Sequence, residues 1–500
     1  MESFVKAVQV DLSSLIGFKR VDALFLTLTF TLSVLLFSFI SYHFFVNDFF
    51  HLKTISYAEK ARLAVEGLPP RLENVGFVYP PLPVFISILF PLPWLAQGVV
   101  SGAVFTLLTY LAVKFYRKSL PAFLMLALYL PFLFAAAFRF DLLLLFFLIV
   151  SSTVLLLKYW EENFSLYLFA GGFLFGLTFF IDFSALYLIF VYAGALFLKR
   201  QGSVSHRLGV MLVFLLPLIF FFLFTLFINY VFKGDAFYFL KGYSSLFPKS
   251  PQILQAQYSL PAALALLFDY LKKSFLLVLP YFIGFFLVER WREFYASPIF
   301  LIYISPLLLV FFKIRYGTFS FSLTNSLLFI LFLLLFINRV KTKLPVYLFL
   351  LLSIVSAPFL YLKSMDGNEV NFARGLMGRP FERNLLFYRE VAQEIDRLKG
   401  RVLLDDKSFY PTVYFVSDLR KLLLPYQYDF YTALASPCGK VDFVVGMVGG
   451  KRDDVYLLYP EIEELKLDRC EFYGRVGDAV FFNCRRCYGS SSSLSSTGSG

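Results

Sequence analysis

Residues 82–118 read LPVFISILFPLPWLAQGVVSGAVFTLLTYLAVKFYRK. Whether this stretch crosses a membrane once or twice decides the topology of everything after it. A helix needs about 20 apolar residues to span a bilayer core of about 30 Å. Leu82–Pro93 is bracketed by Pro80, Pro81, Pro83, Pro91 and Pro93, and as a helix it reaches only about 18 Å. Residues 95–113 are long enough. The basic clusters make the choice. With one crossing, Lys114-Arg117-Lys118, Lys158, Lys199-Arg200-Arg207, Arg290-Arg292 and Arg339-Lys341-Lys343 share a side with Lys19-Arg20. Lys and Arg concentrate in cytoplasmic loops, so that side is cytoplasmic. With two crossings, every later cluster moves outside. One crossing is therefore expected, with Leu82–Pro93 a short, half-buried helix on the outer side.

Apolar runs at 22–45, 95–113, 120–138, 141–158, 164–181, 183–198, 209–232, 274–288, 297–312, 319–337 and 345–362 predict an α-helical polytopic membrane protein of about 11 crossings (11–13). Residues 1–362 form its transmembrane domain, with outer loops at 45–81 and 233–273. The N-terminus is expected in the cytoplasm of a cell with a multi-pass plasma-membrane protein. Residues 363–488 form a small extracytoplasmic α/β domain. Residues 489–500, GSSSSLSSTGSG, read as an appended low-complexity tail. The first 20 residues are mixed polar and the run after them is too long for a cleavable signal peptide.

Composition agrees. Of 500 residues, 59% are hydrophobic, 20% aromatic and only 16% charged, with a mean hydropathy of +0.72. A soluble domain is about half apolar and a quarter charged. A cytosolic enzyme, a disordered scaffold and a nucleic-acid-binding module are excluded. The net charge of +12 has a location: residues 1–362 hold 27 Lys and Arg against 15 Asp and Glu, and residues 363–500 hold 19 of each. The surplus reports topology, and the partners it implies are membrane lipids. Oligomeric state leaves no sequence signal.

The four cysteines, Cys438, Cys470, Cys484 and Cys487, all lie in the polar domain. An even number in one domain indicates disulfides and an oxidising compartment. Cys470 and Cys484 flank a hairpin centred on Gly477-Asp478, which favours that cross-strand pair and leaves Cys438 with Cys487. The alternative zinc site at Cys484–Cys487 lacks the second half of a ligand set.

Charges on the outer side run against the topology rule. Arg139, Asp141 and Asp182 sit in almost loop-free junctions between apolar runs, where ionisable groups face polar cavities and have partners. Arg139 and Asp141 are close enough to pair with each other. Lys313 and Arg315 share a short loop, and Lys233, Lys241 and Lys249 lie on the long one. Asp48 follows the first span in FFVNDFFH (Phe44–His51), before an amphipathic segment at 53–66 read as a helix on the lipid headgroups and then FVYPPLP (Phe77–Pro83). An acid fixed there suits a general base that deprotonates an acceptor hydroxyl while a lipid phosphate departs. The competing reading is a helix-end cap.

The order of these features resembles the C-type membrane glycosyltransferases, which take a sugar from a polyprenyl-phosphate carrier, and within them the polyprenyl-phosphate-mannose-dependent mannosyltransferases. Asp48 stands where that family keeps its first-loop acid. Tyr79-Pro80-Pro81-Leu82 is similar to its YPPL element. Arg139-Phe140-Asp141 resembles its junction before an apolar helix, and Lys313-Ile314-Arg315-Tyr316 stands where relatives keep a late basic residue. The resemblance implies inverting transfer of a hexose, mannose-like, to an acceptor hydroxyl on the outer face. Asp48 would be the base and Lys313, Arg315 and Arg139 would hold the lipid phosphate, with Asp141, Asp182, His51, Tyr79 and Lys241 as secondary candidates. The donor would be a polyprenyl-phosphate sugar and the acceptor a glycan, lipid or protein. Departures are Asn47 in place of a second acid, Asp182 where many relatives have Lys, and Gly317-Thr318-Phe319 in place of a Ser-Pro-Gln element. No WWD-type motif occurs, which argues against an oligosaccharyltransferase.

Asp48 and His51 make too thin a ligand set for a metal, so no cofactor is assigned and a divalent cation stays open. In the polar domain, 387–398 has helical spacing, while 401–404, 410–416, 441–445 and 479–483 read as strands. Asp405-Asp406 after a strand resemble a nucleotide-site or metal-site position, but no glycine-rich phosphate loop precedes them and they read as exposed loop acids; Tyr426, Tyr428 and Tyr431 read as a sugar-lining group. Two other functions compete: a ligase or polymerase acting on lipid-diphosphate glycans, and a lipid or solute transporter. Transporters show internal repeats and broken mid-membrane helices, and neither is evident.

Overall fold

The computed structural model describes residues 20–71, 80–115, 125–199, 202–239, 251–289, 291–295, 297–317, 319–467 and 469–485. The chain is mostly helical, with a small sheet near its C-terminus. Five helices are long and apolar enough to cross a membrane: residues 23–46, 93–114, 140–162, 204–233 and 343–361. Four more apolar helices, at 165–180, 185–198, 275–286 and 323–339, are shorter.

These helices differ in where they sit. The most apolar window of Phe140–Glu162 is 83% buried, against 11% for the first helix and 22% for Val204–Lys233. Phe140–Glu162 is thus the central post, and the other two expose apolar sides around it. Leu24, Leu28, Leu35 and Phe39 on the first helix, and Phe220, Phe227 and Phe232 on Val204–Lys233, are among the exposed residues. The first helix, Arg20–Val46, packs along Pro93–Phe115. Gly98 and Gly102 allow it: an added Cβ would fall 1.8 Å from Ser38 Oγ and 2.4 Å from Val34 Cγ2. Small residues four apart let helix backbones approach closely in lipid.

The Leu82–Pro93 stretch forms a nine-residue helix, Pro81–Leu89, packed on Leu52–Glu66, before the long Pro93–Phe115 helix begins. One long helix, not two, follows from the proline punctuation. Leu52–Glu66 corrects an expectation. It does not lie on an open surface: Thr54 through Ala61 are all buried, between the helical body and the C-terminal domain. An amphipathic pattern says that one face is apolar, not whether lipid or protein covers it.

The C-terminal domain holds a five-stranded sheet ordered β2-β1-β3-β5-β4. Its strands are β1 (Val402–Leu404), β2 (Leu422–Leu423), β3 (Phe443–Met447), β4 (Glu471–Val476) and β5 (Ala479–Asn483). β2, β1 and β3 run parallel, and β5 and β4 are antiparallel additions. Side chains alternate along a strand. Val402, Leu404 and Phe481 therefore face one core with Val391 and Ile395, and Leu403, Val480 and Phe482 face the other. Leu63 of the Leu52–Glu66 helix enters the first of these cores, so domain and loop helix share apolar packing. The expected helix appears as Leu386–Arg397. The expected strand at 410–416 does not: Asp406–Phe415 is a helix, with Asp405 as its N-cap. Its β-branched and aromatic residues suit a strand in isolation, but the cap and the neighbouring helix decide otherwise.

Cys470 and Cys484 form the cross-strand disulfide that the hairpin suggested, and Gly477 takes the left-handed turn conformation with φ 54°. Cys438 is also disulfide-bonded; Cys487 lies outside the described residues.

Candidate functional site

The site is built on a deliberate break. Leu130–Phe138 and Phe140–Glu162 are separate helices because Arg139 leaves helical geometry, at φ −133° and ψ 57°. Broken helices inside an apolar body need side chains to replace the lost backbone bonds, and they are present. Gln97 Nε2 donates to the Ala135 and Ala136 carbonyls at 2.8 Å, and Gln97 Oε1 accepts from Phe140 N at 3.0 Å. Ser101 donates to Ala136 O, Ser41 to Ala137 O and Thr54 to Phe138 O. Four polar residues from three helices thus fix one junction.

That junction orients Asp141, in the first turn of its helix, where a negative charge meets the positive end of the helix dipole. Arg139 grips Asp141 with two bonds, Nε to Oδ1 at 2.9 Å and Nη2 to Oδ2 at 3.1 Å. Lys53 Nζ lies 3.0 Å from Oδ2, and Tyr57 OH donates to it at 3.3 Å. Lys53 and Tyr57 are four apart in sequence and so share one helix face. His51 is beside them. Its Nδ1 accepts from Lys53 N, which leaves the ring proton on Nε2. Burial, and then the Arg139 charge, hold the His51 imidazole well below its usual range, so it is neutral. Burial also lowers Lys53, against the opposing pull of Asp141.

A second pair lies along the same post. Asp182 Oδ1 accepts from Ser184 N and Oγ at 2.9 and 2.6 Å, and Oδ2 lies 3.1 Å from Lys313 Nζ. Lys313, almost fully buried, sits 6.0 Å from the ring centre of Phe146 on the Phe140–Glu162 helix. Asp182 also bears on Lys53 electrostatically. Arg139, Asp141, Asp182, Lys313 and Lys53 therefore form one charged group around the first turns of the central helix, with the neutral His51 beside it.

Asp48 stands apart, in a different set of contacts. The first helix closes with Asp48 in the left-handed region, φ 62°, a conformation Asp tolerates better than most residues. Arg389 of the C-terminal domain reaches its Oδ1 at 3.0 Å and donates to Phe45 O at 2.8 Å. The guanidinium lies over the adjacent rings of Phe45 and Phe415, 4.8 and 4.9 Å from their centres. Leu385 N donates to Asp48 O, and Asn384 exchanges two hydrogen bonds with Phe50. Segment 384–389 thus holds the whole loop around Asp48.

The other candidates scatter. Arg315 is turned away from the charged group, donating to the Ala256 and Gln257 carbonyls. Tyr79, Lys241 and Lys249 lie outside the described residues. Lys233 stacks over Tyr238. Asp405 corrects an expectation: it is fully buried, accepting from Lys407 N and Asp454 N. Asp406 pairs with Arg71 at 2.8 Å, and Arg71 lies over Tyr426. These residues surround the carboxyl ends of β1 and β3, where parallel strand order reverses and α/β domains bind ligands. Here the chain's own Leu68–Arg71 segment occupies that crevice, with Gln427 donating to Leu68 O. Tyr428 and Tyr431 are exposed.

Sequence reading did not single out Lys53, Tyr57 or Arg389. The four-residue spacing of Lys53 and Tyr57 was an available signal; nothing local marks Arg389. Among the described residues, no group of three His, Cys, Asp or Glu side chains gathers that could hold a metal ion. Compared with known proteins, the chain matches no family model and no curated protein.

Proposed function

We propose that the chain is a membrane glycosyltransferase that moves a sugar from a polyprenyl-phosphate donor to an acceptor hydroxyl. The observation that carries this reading is the gathering of Arg139, Lys313 and Lys53 around the first turns of Phe140–Glu162. Cleaving the donor leaves a phosphate whose charge must be stabilised as the bond breaks. Arg binds phosphate oxygens in a bidentate fashion, and Lys serves as a compact point charge. Asp141 and Asp182 hold these cations in place until the phosphate arrives.

Asp48 is the proposed base for the acceptor hydroxyl. Asp141 is gripped by two cations and buried, which makes it a poor base. Asp48 has one ion pair and more exposure. Arg389 would orient it, the usual role of the third group beside a catalytic base. Direct attack by the activated hydroxyl inverts the sugar's configuration.

In this reading the chain crosses a plasma membrane about 11 times, with the four shorter apolar helices, the Leu130–Phe138 segment and the Ile299–Tyr303 and Ser305–Arg315 pair counted as spans. The C-terminal domain lies outside and the N-terminus inside. The Cys470–Cys484 disulfide supports an oxidising compartment for the domain. The test is donor discrimination by the full-length chain in proteoliposomes. A synthetic polyprenyl-phosphate mannose should be consumed, and the matching polyprenyl-diphosphate sugar should not. Consumption of the diphosphate donor alone would move the chain to the ligase class.

A further inference from the structure

The opposite end of the central helix carries a second charged feature. The last turn of Phe140–Glu162, the end of Ala185–Leu198 and the start of Val204–Lys233 border a small, shallow pocket open to the surface. Asp141 and Trp160 lie at opposite ends of one helix, about 28 Å apart at its 1.5 Å rise. The pocket is therefore separate from the site described above, and nothing below depends on sugar transfer.

Three basic side chains, Lys199, His206 and Arg207, line the pocket with Tyr159 and Trp160. Among the described residues, no carboxylate lines it. The nearest acids in sequence, Glu161 and Glu162, are taken up by Lys158 at 2.8 and 3.5 Å. Lys199 Nζ donates to Trp160 O at 3.3 Å and lies 5.4 Å from the Trp160 ring centre, which holds it at the rim. Two donors lack an acceptor among the described residues: Trp160 Nε1 and Arg207 Nε, both shielded from solvent. A buried donor left unpaired costs about 1–3 kcal/mol. Two of them beside an ammonium and an imidazole, in a pocket whose described lining holds no carboxylate, point to an anionic acceptor.

The position identifies its class. All three helices are apolar, and two are long enough to cross a membrane, so their ends lie at headgroup depth. Basic pockets between membrane helices take anionic headgroups, and a guanidinium, an indole N–H and an ammonium together match phosphate oxygens. We propose that this pocket binds the phosphate of an anionic phospholipid headgroup. The lysine and arginine thus hold a specific lipid in addition to setting orientation.

The test uses the full-length chain in neutral detergent, with native mass spectrometry to count bound lipid. Phosphatidylglycerol should be retained at least about tenfold more strongly than phosphatidylcholine of the same chain length. Lys199→Gln with Arg207→Gln should remove most of that preference. Trp160→Phe, which keeps the ring and deletes only the N–H donor, should weaken it severalfold with unchanged melting in the absence of lipid. Lys341→Gln, an exposed basic residue elsewhere, should change nothing. Equal protection against heat by inorganic phosphate and by the lipid, at matched phosphate concentration, would support the same phosphate chemistry and assign it to a soluble source. Unchanged preference in both the double variant and Trp160→Phe would overturn the proposal. So would an equal loss in Lys341→Gln, which would mean unspecific charge attraction.

Discussion

Arg389 Nη1 lies 3.0 Å from Asp48 Oδ1, so a residue of the C-terminal domain holds the acid that ends the first helix. The guanidinium also lies over the neighbouring rings of Phe45 and Phe415. Domain and first loop are therefore one mechanical unit. Arg389→Ala removes the ion pair, the bond to Phe45 O and two ring contacts. It should cost about 2–4 kcal/mol, the range for stripping one partner from a partly buried pair that also stacks. Hydrogen exchange should rise at residues 47–51, and Arg389→Lys, which cannot stack as a plane, should recover only part of the protection.

Gln97 makes a prediction about the helix break. Its amide serves two carbonyls and one N–H at the Arg139 junction. Gln97→Leu fills the same space and strands these groups in an apolar interior. A loss of about 2–4 kcal/mol is expected, with a lower melting temperature. Gln97→Glu should be tolerated better for Phe140 N and worse for the two carbonyls, because a carboxylate has no donor.

The Lys313–Asp182 pair separates stability from function. Lys313→Met alone leaves a buried carboxylate without its cation, which costs about 3–5 kcal/mol. Adding Asp182→Asn should restore much of that stability, because the uncompensated charge is gone. Activity should stay lost in the double variant if Lys313 binds phosphate. A double variant with wild-type transfer would make the pair purely structural. Melting curves and a transfer assay on the same preparations distinguish the two.

Two buried acids of the C-terminal domain predict a pH dependence. Burial pushes Asp405 up to about 6 and Asp453 up to about 7, from an ordinary value near 3.8. Both folded-state values are raised, so the folded domain favours the protonated acids. Their contribution to stability is complete below about pH 3.8 and is lost as pH rises through 6 to 7. Thermal melts should show the domain losing roughly 4 kcal/mol between pH 5 and 8, with little further change above. Asp453→Asn should flatten the upper part of that slope.

Much of this arrangement was legible in the residues. Prolines around Leu82–Pro93 marked a short helix before a long one, and the hairpin at Gly477 paired Cys470 with Cys484. The Arg139-Phe140-Asp141 junction was visible because charge in an apolar run demands a partner. What was hidden is long-range. Gln97, Ser41 and Thr54 look like scattered polar residues until the fold brings them to the successive carbonyls of Ala136, Ala137 and Phe138 at a helix break. Asp48 looked open because Arg389 is far along the chain. The Leu52–Glu66 helix was misjudged because a lipid surface and a protein surface select the same amphipathic pattern.

The central claim is that Asp48 activates the acceptor while the separate cation group around Asp141 and Asp182 holds the lipid phosphate. Asp48→Asn tests it most directly, since Asn keeps the side-chain shape and favours the left-handed backbone found there. The measurement is release of polyprenyl phosphate from polyprenyl-phosphate mannose by the full-length chain in proteoliposomes. Wild type should turn over, and Asp48→Asn should fall by about a hundredfold or more with unchanged melting. Transfer by Asp48→Asn at the wild-type rate would contradict the assignment of the base, and no release by wild type from any monophosphate donor would contradict the reaction itself.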